Sequence, residues 1–159
     1  MNRIMRDQYP LFREYQRLRG EVLASLTDND LAFTPGGKNL ILGALCREIG
    51  EIEQAYINSF KTWRMDWSYR VEDAALEQST ARLGEWYSTL DQELETTISA
   101  MSDEELAANV VDRGPHFKVP APTQLEIYKE ALLLFYGKAD VYLKLLDKPL
   151  SEQWQHWIG

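Results

Sequence analysis

Apolar residues along this chain recur at alternating steps of three and four over four separate stretches, the period of a helix that buries one face. The first stretch runs from about Gln8 to Leu26, with Leu11, Tyr15, Leu18, Val22 and Leu26 on its stripe. Pro10 suits its first turn, where the missing N–H would have had no intrahelical acceptor. Gly20, unfavourable inside a helix, points to close packing there. The second stretch runs from about Asn39 to Thr62, behind the breaker Thr34-Pro35-Gly36-Gly37. Its seam is Leu42, Leu45, Ile49, Ile52, Tyr56 and Phe60. The third spans about Ala74 to Met101, with Leu83, Tyr87, Leu90, Leu94 and Ile98 inward. The fourth runs to about Leu146 on Tyr128, Leu132, Phe135, Ala139, Tyr142 and Leu146, and Pro149 ends it.

The connections carry their own signals. Thr27-Asp28-Asn29-Asp30 reads as a turn. Residues 63–73, WRMDWSYRVED, hold Trp63, Trp67 and Tyr69 off any helical period and read as a loop folded over one end of the bundle. Ser102 and Glu105 have capping-box spacing and predict a short helix. Asn109-Val110-Val111 and His116-Phe117-Lys118-Val119 flank Asp112-Arg113-Gly114-Pro115, which predicts a small hairpin or an extended loop. Thr123 and Glu126 form a second capping box that should open the last helix. Trp154 and Trp157, three apart in the tail, should pack back on the domain. Four amphipathic helices without a long strand predict an all-α chain. The simplest arrangement is an antiparallel four-helix bundle, one domain over residues 1–159.

Composition narrows the class. With 159 residues, 45% hydrophobic and 26% charged, the chain can bury a globular core. No apolar run of about 18 residues suits a membrane span, and the amino terminus lacks a signal-peptide pattern, so a cytoplasmic protein is expected. The single cysteine, Cys46, excludes an internal disulfide and reads as a small buried hydrophobe. A net charge of −8 disfavours nucleic acid, and neither nucleic acid nor membrane is expected as a partner. Arg6, Arg13 and Arg17 read as a solvated face with Glu14 and Glu21.

Candidate chemistry is sparse. There is no P-loop, dinucleotide fingerprint, zinc ribbon or nucleophile elbow. Glu48, Glu51 and Glu53 crowd the second helix, and Glu48 stands out because it neighbours the seam at Ile49 and Ile52. Tyr128, Tyr136, Lys138, Asp140 and Tyr142 decorate the fourth; Tyr128 and Tyr142 read as core residues with their hydroxyl ends in water. Trp63, Trp67, Trp154 and Trp157 lie in the irregular segments, where they either seal the core or form a dimer surface.

Several pieces in order resemble the DinB/YfiT-like superfamily. They are the Leu26-Thr27…Leu31 turn, the Ile49–Glu53 stretch, the Ser102-Asp103-Glu104-Glu105-Leu106 turn, Tyr142–Leu146, and the tail from Trp154 to Gly159. The resemblance covers nearly the whole chain and implies a four-helix bundle, often dimeric. It also implies a metal held by three histidines, one on the second helix and an HxxxH pair on the fourth, in proteins that include thiol-dependent transferases and hydrolases. Here the matched positions are Glu48, Ala131 and Phe135, and the only histidines are His116 and His156. The expectation is therefore a bundle without the metal or any cofactor. It would be a homodimer and a non-catalytic scaffold or small-molecule binder, with its pocket near Glu48, Ala131, Phe135 and Tyr128. The alternative is an enzyme of the transferase or hydrolase type with an atypical site near Glu48.

Overall fold

The computed structural model describes all of residues 1–159. It contains helices α1 (Arg3–Asp7), α2 (Tyr9–Ala24), α3 (Leu42–Thr62), α4 (Thr80–Ser99), α5 (Asp103–Ala108), α6 (Ala121–Leu145) and α7 (Glu152–Trp157). A two-stranded hairpin, β1 (Val110–Asp112) and β2 (Lys118–Pro120), precedes α6, and 3₁₀ turns occupy Asp28–Ala32 and Ala74–Gln78. Helices α2, α3, α4 and α6 enclose a single core, so the all-α bundle is the observed fold. Helices α2 and α3 each pack on both α4 and α6. The α2/α4 and α3/α6 pairs run antiparallel, as the contacts Arg13–Glu95 and Arg19–Asp91, and Tyr56–Tyr128 and Ser59–Gln124, show.

The residues 63–79 explain why α4 runs alongside α3 in the same direction. This segment does not fold over one end of the bundle, as the sequence suggests. It returns along α3: Trp67 packs on Tyr56, Val71 N–H donates to Glu51 Oε1 at 3.1 Å, and Arg47 pairs with Glu77 at 2.9 Å. A Cβ on Gly43 would lie 2.0 Å from the Glu77 carbonyl oxygen, so glycine is what allows this close approach. Gly50 plays the same part for the Trp86 ring, 2.4 Å from where a Cβ would be. The return also shortens the third helix, which starts at Thr80 rather than Ala74 because Ser79 caps it through Arg82 N–H.

Other local signals resolve individually. The Ser102/Glu105 capping box is formed in both directions. The hairpin exists, and beside it Met65 N–H donates to Asp112 O and Asp112 N–H to Trp63 O, which fastens the end of α3 to β1. The Thr123 cap does not form. Helix α6 begins at Ala121 behind Pro120, with Pro122 in its first turn, and Thr123 lies inside the helix. Proline presets the first-turn φ and lacks the N–H a cap would satisfy, so the helix starts ahead of the threonine. On α2 the buried face is Tyr9, Phe12, Gln16, Leu18, Arg19, Val22 and Leu23, while Leu11 is exposed. Gly20 meets open space, so the expected close packing is absent there.

Candidate functional site

Polar features interrupt the apolar bundle in several places. One lies at its surface between α3 and α6, another in its core.

The surface feature is the one the sequence points to. Glu48, Ala131 and Phe135 do come together, lining a hollow of about 120 Å³ with Leu45, Ile52 and Lys138. It adjoins a groove of about 570 Å³, sharing Leu45, Glu48, Leu134 and Lys138 with it. The Pro35–Leu40 loop closes one end of that groove, anchored by Tyr142 Oη donating to Leu40 O at 2.8 Å. Leu40, Leu134 and Val141 give the groove an apolar wall, and Lys38, Lys138 and Glu48 stand on its rim without ion-pair partners. Helical spacing explains the rim: Leu134, Lys138 and Val141 fall on one outer face of α6, opposite the core residues Leu132, Phe135 and Ala139.

Tyr128, expected with them, is elsewhere. It is fully buried against Tyr56 and Phe12, and its hydroxyl has no partner, so neither end reaches water. It belongs to the core feature, which the sequence reading missed. Arg19 of α2, fully buried, pairs with Glu53 of α3 and donates to Asp91 Oδ1 of α4 at 2.7 Å. Gln16 Nε2 donates to the second Glu53 oxygen at 3.1 Å, and the guanidinium lies 3.9 Å above the Tyr87 ring. Burial pushes the Glu53 carboxyl up to about 7, against the pull of Arg19 and with a further push from Asp91. Burial also works against the Arg19 charge, but Glu53, Tyr128 and Asp91 outweigh it and hold the guanidinium protonated. Of the three α3 glutamates, Glu48 is thus exposed, whereas Glu51 and Glu53 are buried. Only a helical-wheel count that places Glu53 between Ile49 and Phe60, opposite an arginine on α2, could have pointed there.

The remaining candidates are dispersed. Cys46 is buried, and burial pushes its thiol up to about 12, far from a reactive thiolate. Tyr136 is buried and donates to Tyr15 O, Asp140 accepts from Trp154 Nε1 at 2.9 Å, and both histidines are exposed at separate sites. The tryptophans do not form one patch. Trp154 is buried, Trp63 is half-buried, and the more exposed pair, Trp67 and Trp157, lie against Tyr56 of α3 and Tyr15 of α2. A three-histidine centre needs three nitrogen donors. The matched positions supply one carboxylate, a methyl group and a phenyl ring, so these residues do not fit such a metal, and no cluster of three ligand-type side chains occurs elsewhere.

Among solved structures, the chain is similar to a crystal structure of a DinB-like protein, YjoA, from Bacillus subtilis. The two share 14% identity, and the alignment covers 87% of this chain and 93% of that one with a TM-score of 0.68. The fold is DinB-like. No protein-family model and no curated protein matches the chain. Of the three positions singled out in the sequence, Glu48 lines both the groove and the hollow, whereas Ala131 and Phe135 line the hollow. The groove adds an apolar wall and two lysines without ion-pair partners.

Proposed function

We propose that this DinB-like bundle is a non-catalytic binding protein, without a metal, whose α3–α6 groove takes a small amphipathic anion. What supports this reading is the pair of unpaired cations, Lys38 and Lys138, above an apolar wall of Leu40, Leu134 and Val141 in a groove of about 570 Å³. Apolar clefts with a few placed polar groups are the usual form of small-molecule sites. An apolar tail would lie along the wall, and a carboxylate would meet the lysines. The test is thermal stabilisation by octanoate, with octanol and octylamine as neutral and cationic controls. Octanoate should raise the midpoint more than either, and Lys138→Ala should remove most of the difference. Equal shifts with all three would defeat the reading.

A dimeric scaffold is the second reading, favoured by Leu134, Val141 and Leu145, which are 69%, 50% and 59% exposed along one side of α6. An apolar row of this kind marks a contact surface. The enzymatic alternative has less support. Glu48 is exposed with no neighbouring base, and the only thiol is sealed in the core.

A further inference from the structure

Arg3, Lys38, Arg64, Arg113 and Lys138 have no carboxylate within ion-pair distance, and all but Arg113 extend into solvent. Arg113 is half-buried at the turn of the β1–β2 hairpin, in a chain of net charge −8 that could readily have supplied it an acid. A guanidinium with part of its donor edge shut from water and unpaired gains from an acceptor, and an anion is the strongest one.

The guanidinium is held in place. Its Nη1 donates to Gln124 Oε1 at 2.7 Å. Gln124 is fully buried, and its amide nitrogen is turned away toward Ser59 Oγ at 2.8 Å, so its oxygen has to face the arginine. Three rings converge on Arg113 Cζ: Tyr56 at 5.5 Å, Trp67 at 5.7 Å and Phe117 at 5.5 Å. Trp67 and Phe117 are about half exposed, 48% and 49%, so the cluster lies at the surface. The opposite edge of the fork is unsatisfied. Nε is shut from water without a partner, and Nη2 has only a 3.5 Å contact to Tyr56 Oη.

We infer that Arg113, with Trp67 and Phe117, forms a binding site for a small aromatic carboxylate, separate from the α3–α6 groove. The carboxylate takes the Nε–Nη2 edge in two parallel hydrogen bonds, the geometry that a guanidinium offers and an ammonium does not. The ligand ring packs against the two half-exposed rings of Trp67 and Phe117, and a shift of the hairpin turn that carries Arg113 opens Nε to the carboxylate.

Benzoate is the probe, titrated while following the ¹⁵N resonance of Arg113 Nε and the fluorescence change that Trp67→Phe removes. Saturable binding that shifts Nε is expected, with acetate and inorganic phosphate weaker by about tenfold or more. Arg113→Lys, which keeps the charge and loses the fork, should weaken benzoate by about tenfold. Phe117→Ala alters a surface ring, leaves the fold standing, and should weaken benzoate severalfold, which keeps the test decisive if the lysine variant does not fold. Octanoate bound at the groove should leave Nε unmoved. The inference is overturned by the absence of saturation, by acetate binding as tightly as benzoate, or by unchanged affinity in either Arg113→Lys or Phe117→Ala.

Discussion

Glu53 illustrates what a single side chain can hide from a sequence. It sits in a run of three glutamates that reads as a solvated acidic face, yet it is fully buried and ion-paired across the bundle to an equally buried Arg19. Period alone does not reveal this, because the apolar stripe of α3 is complete without position 53, and the partner is thirty-four residues away on a diagonal helix. Glu48 drew attention for its neighbours in sequence, but a residue next to a seam residue on a helix turns about 100° away from it. The buried acid has a consequence for pH. Its folded value near 7 lies above the unfolded carboxylate value of about 4.3. The folded protein therefore binds more protons between these limits. This contribution to stability is fully present below the unfolded value and is lost as pH rises through the folded one. Asp28 and Asp30, held low chiefly by bonds from Thr80 and Lys148, act oppositely but only below about pH 4. Melting temperature should thus fall between pH 5 and pH 8, and Glu53→Gln should flatten that slope. Parallel curves for the two proteins would refute the assignment.

At the scale of elements, the sequence was most legible where a turn has its own chemistry and least where tertiary contact decides. The Ser102 box could be read because both its bonds are local, and Ser102→Ala should cost about 1 kcal/mol in chemical denaturation. Thr123 has the same spacing, but two prolines had already started the helix, so Thr123→Ala should change stability by less than about 0.5 kcal/mol. Glycines divide in the same way. Gly20, on an exposed helical position with nothing within 4 Å, gains from a methyl group, and Gly20→Ala should stabilise by about 0.5–1 kcal/mol. Gly43 lies against the backbone of the returning 63–79 segment, and a Cβ there meets a carbonyl that has no rotamer to yield. Gly43→Ala should cost about 1–3 kcal/mol or more, with the Trp67 environment disturbed as the segment lifts. The path of that segment was not legible because its signals, three aromatics without a period, say only that it is not a helix.

At the scale of the whole molecule, the fold class followed from four covered stripes. What the stripes leave uncovered is the row Leu134, Val141 and Leu145, which the periodic reading passed over because each falls between seam positions of α6. Leu134 and Val141 are also walls of the groove, so one surface is asked to serve both a ligand and a partner. If two copies meet there around a two-fold axis, Glu48 and Lys138, both unpaired, are placed on the contact face to be matched reciprocally, and the acidic remainder of each −8 chain is kept apart. Light scattering over a dilution series should then show a dimer that becomes monomeric in Leu134→Glu, a change at a position too exposed to harm the core. A monomer throughout would remove the scaffold reading and leave the ligand reading intact. Where a dimer forms, linkage requires the two occupants of the shared wall to oppose each other by equal factors. Octanoate should dissociate the dimer, and dilution should tighten octanoate binding, with Lys138→Ala weakening the first effect. A dimer indifferent to octanoate, in a protein that octanoate still stabilises, would place the two surfaces apart and move the interface off α6.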